Sequence, residues 1–167
     1  MMDTTTARAH AQAAGGKGGS IRMFLGRSRG GFSTKIHARS DHQGRPLGFV
    51  LTGGEVSDYR GVDELLALPV AKPKIMSADK GFDGDGVRSA LLLKGISPVI
   101  PPRANRVNPP VCDFKAYKDR NRIERMFSKL KQFRRIATRY DKTKLSYAGF
   151  LALAAAQIWL PAFVNTA

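Results

Sequence analysis

Cysteine is almost absent from this sequence, and acidic residues are scarce. The single cysteine, Cys112, excludes an internal disulfide and any zinc site built on several cysteines, which is typical of a protein of the reducing cytosol. The N-terminus has no apolar stretch of the kind that a secretory signal peptide needs. The 13 Asp and Glu residues face 28 Lys and Arg residues, which gives a net charge of +15. This excess indicates a polyanionic partner, with nucleic acid as the first candidate, although a ribosomal-type or membrane-surface protein would share it.

Long apolar runs are also rare. One stretch, residues 145–164, is mostly apolar and about long enough to span a bilayer. It contains Ser146, Gln157 and Pro161 and is rich in alanine, so a buried C-terminal helix is favoured over a membrane span and no membrane partner is expected. The 167 residues are predicted to form one domain with its own core.

The most informative stretch is residues 117–131, which contains no Gly or Pro and is predicted to form one helix of about four turns. Its apolar face, at i, i+3, i+4, i+7 spacing, consists of Ile123, Met126, Phe127, Leu130 and Phe133. Its basic face consists of Lys118, Arg122, Arg125 and Lys129. A third face consists of Tyr117, Arg120, Glu124 and Lys131. There a single carboxylate lies among two cations and a phenol, which suits a metal-binding acid beside a phosphate backbone.

The rest of the chain reads as alternating strands and helices. Strands are predicted at residues 3–9, 32–39, 47–52, 74–78 and 97–100, and residues 11–31 are predicted to be a loop rich in Gly, Arg and Lys. One helix is expected from a cap at Ser57 or Asp58 to about Leu68, and another over residues 84–94 with Asp83 as N-cap and Gly95 as C-cap. The resulting order, β-β-β-α-β-α-β-α-α, indicates a ribonuclease-H-like α/β fold, in which helices flank a mixed sheet.

Four blocks of sequence carry a resemblance to a known family. They are DTTTARAH from Asp3, GRSRGGFSTKIH from Gly26, ADKGFD from Ala78, and RNRIERMFSKLKQFRRIATRYDK from Arg120. The last block completes the spacing Y-x2-R-x3-E-x6-K, which is met at all four positions. With these blocks the chain resembles, along nearly its whole length, the DDE transposases of bacterial insertion sequences, in the "insertion sequence five" group. The resemblance implies the same ribonuclease-H-like fold and a catalytic domain over residues 1–167.

The resemblance implies that Asp3, Asp79 and Glu124 are the catalytic acids and the metal ligands. Carboxylates from separate elements can hold two Mg²⁺ ions about 4 Å apart, and Mn²⁺ can substitute for Mg²⁺. One ion would activate the attacking water or 3′-OH, and the other would stabilise the leaving 3′-oxygen. Each acid also has an ordinary interpretation: Asp3 as a solvated terminal residue, Asp79 as a turn residue, and Glu124 as an ion-pair partner of Arg120 or Lys131.

The family's supporting residues match Tyr117, Arg120 and Lys131, which are expected to orient DNA phosphates around the scissile bond. Further predicted DNA contacts are Lys118, Arg122, Arg125, Lys129, Arg134 and Arg135. The expected partner is double-stranded DNA, both the terminal inverted repeats of the element and the target, with a homodimer on DNA as a candidate assembly in the bacterial cytoplasm, at the nucleoid. His37 could contact DNA, but a structural histidine is the better interpretation.

The main departure from the family lies at the N-terminus. In the family, the first catalytic Asp lies within a central strand and a helical DNA-end-binding region precedes it, whereas only Met1 and Met2 precede Asp3 here. The first strand is therefore expected to be truncated, as in a partial copy or a reading frame joined to an upstream one. The expected activity is Mg²⁺-dependent cleavage at element ends and transfer of the 3′-OH to target DNA. The alternatives are an inactive DNA-binding remnant and, less favoured, a basic RNA-binding protein.

Overall fold

Seven strands and seven α-helices form the part of the chain that the computed structural model describes, residues 1–14, 24–28 and 31–164. The strands are β1 (Met2–Ala9), β2 (Gly26–Ser28), β3 (Gly31–Ser40), β4 (Pro46–Gly53), β5 (Ile75–Ser77), β6 (Ser97–Val99) and β7 (Thr138–Arg139). The helices are α1 (Ala11–Ala14), α2 (Arg60–Leu66), α3 (Asp85–Leu93), α4 (Phe114–Tyr117), α5 (Asn121–Lys131), α6 (Arg134–Ala137) and α7 (Lys144–Val164). Single 3₁₀ turns lie at Lys80–Phe82 and Lys118–Arg120.

Strand β3 is the centre of the main sheet. It pairs antiparallel with β1 from Met2↔Arg39 to Arg8↔Ser33, and antiparallel with β4 on its other edge. Strand β2 pairs with the start of β3, and β7 pairs parallel with the end of β1. Strands β5 and β6 form a separate parallel pair. A mixed sheet flanked by helices is the ribonuclease-H-like architecture predicted from the sequence, and that prediction is confirmed.

The alternation of side chains along the strands separates two hydrophobic layers. On one side, Ala7, Ile36 and Leu51 pack against the apolar face of α5 and against α7. On the other side, Met2 and Val50 pack against α2 and the β5–α3–β6 unit. Asp3 has the same parity as Ala7, so its side chain faces the α5 layer. The sheet thereby points this carboxylate at the helix that carries Glu124.

The predicted loop over residues 11–31 is wrong where α1 and β2 interrupt it. Strand β2 exists because it finds a pairing partner in β3, and Leu25 beside it is buried against Ala13 of α1. The remainder of this stretch, including part of the GRSRGG segment, lies outside the described residues. Strand β7 and helices α4 and α6 were also not predicted as separate elements, so the predicted element order lacked five short elements.

The predicted single helix over residues 117–131 is also wrong in detail. Helical backbone begins earlier, at Phe114, because the Asp113 carboxylate caps it by accepting hydrogen bonds from the backbone N–H groups of Lys115 and Ala116. A 3₁₀ turn, Lys118–Arg120, then separates α4 from α5. The apolar face is as predicted, and Ile123, Met126, Phe127 and Leu130 are all buried.

Two of the predicted helix caps are wrong. Neither Ser57 nor Asp58 caps α2, because Asp58 instead accepts a hydrogen bond at 2.9 Å from Lys35. Asp83 does not cap α3, since Gly84 holds the N-cap position and the Asp83 carboxylate is buried among arginines. The cap at the other end of α3 is confirmed: Gly95 has φ of +66°, and the N–H groups of Gly95 and Ile96 bond the carbonyls of Leu92 and Leu91.

Helix α7 closes the core, as expected for the alanine-rich C-terminal stretch. Tyr147, Leu151 and Ala154 are buried against the α5 layer. Within the described residues, no helix combines the length and the apolarity that crossing a membrane would require. His37 is a structural histidine, because its ring is buried and hydrogen-bonded to the hydroxyls of Thr4 at 2.9 Å and Thr52 at 2.8 Å.

Candidate active site

Asp3 lies near the start of β1, and its side chain is only 15% exposed. One carboxylate oxygen, Oδ1, accepts a hydrogen bond from the backbone N–H of Thr4 at 2.8 Å, and Oδ2 accepts one from Arg120 Nη1 at 3.1 Å. Burial raises the pKa of Asp3, and the negative charges of Asp79 and Glu124 raise it further, whereas the Thr4 N–H and the Arg120 charge oppose the rise. The net rise reflects a buried carboxylate with two other acids nearby.

Asp79 lies two residues after the end of β5 and caps the 3₁₀ turn Lys80–Phe82. Its Oδ1 accepts a hydrogen bond from the backbone N–H of Lys80 at 2.7 Å, and the phenol of Tyr117 lies 3.5 Å from the same oxygen. The turn fixes the backbone orientation of Asp79, because Phe82 N–H also bonds the Asp79 carbonyl at 2.8 Å. The carboxylate therefore comes from the end of a second strand pair and lies beside Tyr117 of α4.

Glu124 lies in the first turn of α5, and its side chain is 54% exposed. Its Oε1 accepts a hydrogen bond from Arg120 Nη2 at 2.5 Å. The 3₁₀ turn before α5 brings side chains three positions apart into line, so Tyr117 and Arg120 meet, and Arg120 Nε donates to the Tyr117 hydroxyl at 3.1 Å.

Arg120 joins the three acids into one cluster. Its guanidinium binds Asp3 and Glu124 directly, and Tyr117 links it to Asp79. Burial lowers the pKa of Arg120, but the negative charge of Asp3, followed by Tyr117 and the other two acids, outweighs burial and leaves the pKa above its ordinary value. The structure thus brings together all three acids that the sequence analysis singled out, with one cation among them.

As the side chains stand, no three His, Cys, Asp or Glu residues in the described part of the chain form a ready metal site. The cluster nevertheless fits a hard divalent cation. Its three candidate metal ligands are all carboxylates, whose oxygens Mg²⁺ prefers. The Arg120 guanidinium already lies as a cation between two of them, Asp3 and Glu124. In the described part of the chain, Asp79 Oδ2 and Glu124 Oε2 accept no hydrogen bond, whereas Arg120 occupies Asp3 Oδ2 and Glu124 Oε1.

The predicted phosphate-binding residues separate into groups. Tyr117 and Arg120 belong to the acid cluster, whereas Lys131 lies farther along β1, where its Nζ donates to the Thr6 carbonyl at 3.2 Å and burial lowers its pKa. Four of the predicted DNA contacts are exposed and form no ion pair within the described residues: Lys118, Arg125, Lys129 and Arg134. Two others are neutralised, Arg122 by Asp119 at 3.0 Å and Arg135 by Asp141 at 3.3 Å.

A second polar cluster, centred on Asp83, was missed by the sequence analysis. Asp83 follows the turn that carries Asp79, and its side chain is fully buried in contact with Arg88 and Arg106. Arg103 donates a hydrogen bond to Asp83 through its backbone N–H and contacts the turn through its guanidinium. The basic segment of residues 101–110 was noticeable in the sequence, but nothing in the spacing linked it to Asp79.

Comparison with known proteins gives a consistent result. Two family models, both described as "Transposase DDE domain", match residues 1–108 and residues 76–161. A Brucella ovis protein named for the transposase of insertion sequence element IS6501 is 36% identical over 135 residues, which cover 77% of this chain and 98% of the relative. A Burkholderia cepacia protein named for the transposase of element IS402 is 30% identical over 133 residues, which cover 72% of this chain and 59% of the relative. The chain therefore belongs to the DDE transposases of insertion sequences.

Proposed function

We propose that this chain carries out the chemical steps of transposition, namely divalent-metal-dependent cleavage of DNA at the element ends and transfer of the freed 3′-OH to target DNA. The observation that carries the proposal is the convergence of Asp3, Asp79 and Glu124 on Arg120. These acids come from a central strand, from the end of a second strand pair and from a late helix. Residues so far apart in sequence meet only because the fold brings them together.

Asp3, Asp79 and Glu124 are the residues that would hold Mg²⁺. When bound there, Mg²⁺ would supply a nucleophile activated at neutral pH and stabilisation of the leaving 3′-oxygen. The chain itself contributes three acids on rigid elements and a buried location for Asp3, where electrostatic interactions are less screened than in water. Mn²⁺ has the same preference for oxygen donors and should substitute for Mg²⁺.

Arg120 has to release at least one carboxylate before the acids can bind a metal. Its guanidinium is then free to bind a DNA phosphate in the planar, two-pronged manner typical of arginine. The Tyr117 phenol remains protonated, since burial raises its pKa more than Arg120 lowers it, and it can donate a hydrogen bond to the same backbone. Arg120 would in this way exchange carboxylate partners for phosphate partners.

DNA is the substrate class of the family, and we propose the terminal inverted repeats and a target duplex as the two substrates. The exposed cations Lys118, Arg125, Lys129 and Arg134 extend from the acid cluster along α5 to α6, where they can neutralise successive phosphates. These contacts carry no base information, so they would position the duplex without selecting a sequence. A homodimer on DNA stays a prediction.

The test is cleavage of a supercoiled plasmid that carries the genomic DNA flanking the gene on both sides. With Mg²⁺, the wild type should nick the plasmid within these flanks, and Asp79→Asn should not. Asp63→Asn is the matched control, because Asp63 is an exposed acid on α2, and it should nick like the wild type. Wild-type protein that binds the plasmid without nicking it would contradict the proposal and favour an inactive DNA-binding remnant.

A further inference from the structure

The turn that carries Asp79 is held from outside by one arginine. Arg103 Nε donates to the Lys80 carbonyl at 3.2 Å, and Arg103 Nη2 donates to the Gly81 carbonyl at 2.7 Å. Both carbonyls belong to the 3₁₀ turn Lys80–Phe82, which Asp79 caps. A planar guanidinium that reaches two successive carbonyls restrains the orientation of that backbone, which a single-point donor cannot do.

Arg103 is itself anchored on the buried Asp83. Its backbone N–H donates to Asp83 Oδ2 at 2.8 Å, while Oδ1 accepts from Arg88 Nε at 2.9 Å and from Arg106 Nη1 at 3.2 Å. Burial raises the pKa of Asp83, but the hydrogen bonds from Arg103 and Arg88 and the arginine charges outweigh it and leave the pKa below its ordinary value. The Arg88 side chain also donates to the Ile100 carbonyl at 2.7 Å. The turn, α3 and the segment after β6 are thereby joined at one carboxylate.

Tyr59 completes the arrangement from the side of α2. Its hydroxyl accepts a hydrogen bond from Arg103 Nη2 at 2.5 Å and donates one to the Asp83 carbonyl at 3.1 Å. The chain passes close to the tyrosine ring at Gly84, where an added Cβ would lie 2.8 Å from Tyr59 Cε1. A residue with a side chain at position 84 would push the ring away from Arg103.

We propose that Arg103 is a positioning residue, whose guanidinium fixes the backbone of the turn Lys80–Phe82 and so aims the Asp79 carboxylate at the other two acids. In the described structure the hydrogen bonds of Arg103 go to Lys80, Gly81, Asp83 and Tyr59 and to none of the three acids, so its effect on them would pass through the turn that carries Asp79. The inference rests on the proposed function in one respect, that Asp79 is a metal ligand. Partners that orient metal ligands from outside commonly change metal affinity by about 10- to 100-fold when removed.

Substitutions of Arg103 and Tyr59 should leave the protein folded. Arg103 is exposed, so Arg103→Ala leaves no buried charge unpaired, and its backbone bond to Asp83 is retained. Arg103→Lys keeps the charge but loses the planar fork, and Tyr59→Phe removes only the hydroxyl that Arg103 contacts. Arg60→Ala is the matched control, since Arg60 is an exposed arginine at the start of α2.

The first measurement is hydrogen exchange without metal at the backbone amides of Phe82 and Asp83, which form the bonds of the turn. Arg103→Ala should raise both exchange rates several-fold, Arg103→Lys and Tyr59→Phe should raise them less, and Arg60→Ala should leave them unchanged. Exchange at the wild-type rate in Arg103→Ala would overturn the inference without touching the proposed function.

The second measurement is Mn²⁺ affinity, determined from the electron paramagnetic resonance signal of free Mn²⁺. Arg103→Ala should weaken binding by about tenfold, but it should have no further effect in an Asp79→Asn background. An equal loss in both backgrounds, or none in either, would overturn the inference while Asp79 remains a ligand. Wild-type affinity in Asp79→Asn alone would overturn the proposed function, and the inference with it.

Discussion

Replacing Glu124 with glutamine separates the chemical role of this acid from its structural role. Glutamine has nearly the same size and a similar helix propensity, and its amide oxygen can still accept the hydrogen bond from Arg120. The side chain is 54% exposed and does not belong to the apolar face that anchors α5. The substitution therefore removes a charge and little else.

The expected change in stability is small. An exposed i, i+4 ion pair contributes about 0.3–0.5 kcal/mol, and an acid in the first turn of a helix contributes about 0.3–1 kcal/mol through the helix dipole. Loss of both is partly offset, because Glu124 also repels the nearby Asp3 carboxylate. The free energy of unfolding should thus fall by less than about 1 kcal/mol. Loss of a metal-binding charge, in contrast, should cost about 4 kcal/mol of transition-state stabilisation, which lowers the cleavage rate about a thousandfold.

Three assays check this prediction on the same preparations. Urea denaturation should give nearly equal stabilities, DNA affinity should stay the same or rise slightly because Arg120 loses an anionic neighbour, and nicking should fall by orders of magnitude. Glu64→Gln on α2 is the matched control and should leave all three unchanged. If Glu124→Gln nicks as fast as an active wild type, Glu124 is an ordinary surface acid and the three-acid site is wrong.

Two further predictions concern DNA binding and the response to pH. Replacing Lys118, Lys129 and Arg134 with glutamine should reduce the magnitude of the slope of log K against log salt by about 3, since each cation releases about 0.9 counterion. The loss of DNA affinity should be equal for unrelated duplexes. An unchanged slope would show that these cations do not face DNA. Burial lowers the pKa of His37 from 6.5 to about 4, so between these pH values the folded protein binds fewer protons than the unfolded chain. The free energy of unfolding should therefore decline by up to about 3 kcal/mol as pH falls through that window. His37→Gln should flatten this decline, and an equally steep decline in the variant would assign it to other groups.

Periodicity predicted the parts of the site that lie on one helical stretch. Tyr117, Arg120 and Glu124 share a face because they are three and four residues apart, and the structure contains these contacts. Lys131 belongs to the same face by its angle, yet it lies about two turns beyond Glu124 and contacts β1 at Thr6. The angle between two residues around a helix gives the side on which they lie but not their distance along its axis.

Contacts between segments that are distant in sequence could not be predicted from local sequence patterns. Asp83 precedes a helix, which is the usual position of an N-cap, and only the fold brings Arg103 and Arg106 to it across about 20 residues. The three-residue strand β2 has no signal of its own and forms because β3 offers it an edge. The long helices and strands and the short pair β5 and β6 were therefore predictable, whereas the buried ion cluster and the strands β2 and β7 were not.

A crystal structure of the chain with Mn²⁺ and a DNA duplex would show whether Asp3, Asp79 and Glu124 form one metal site for DNA cleavage. We expect an anomalous-scattering peak within bonding distance of the Asp3 and Asp79 carboxylates, with Arg120 turned from Asp3 toward a phosphate. Crystals grown at a Mn²⁺ concentration that supports nicking, with no peak at these carboxylates and Arg120 still paired with Asp3 and Glu124, would contradict this expectation.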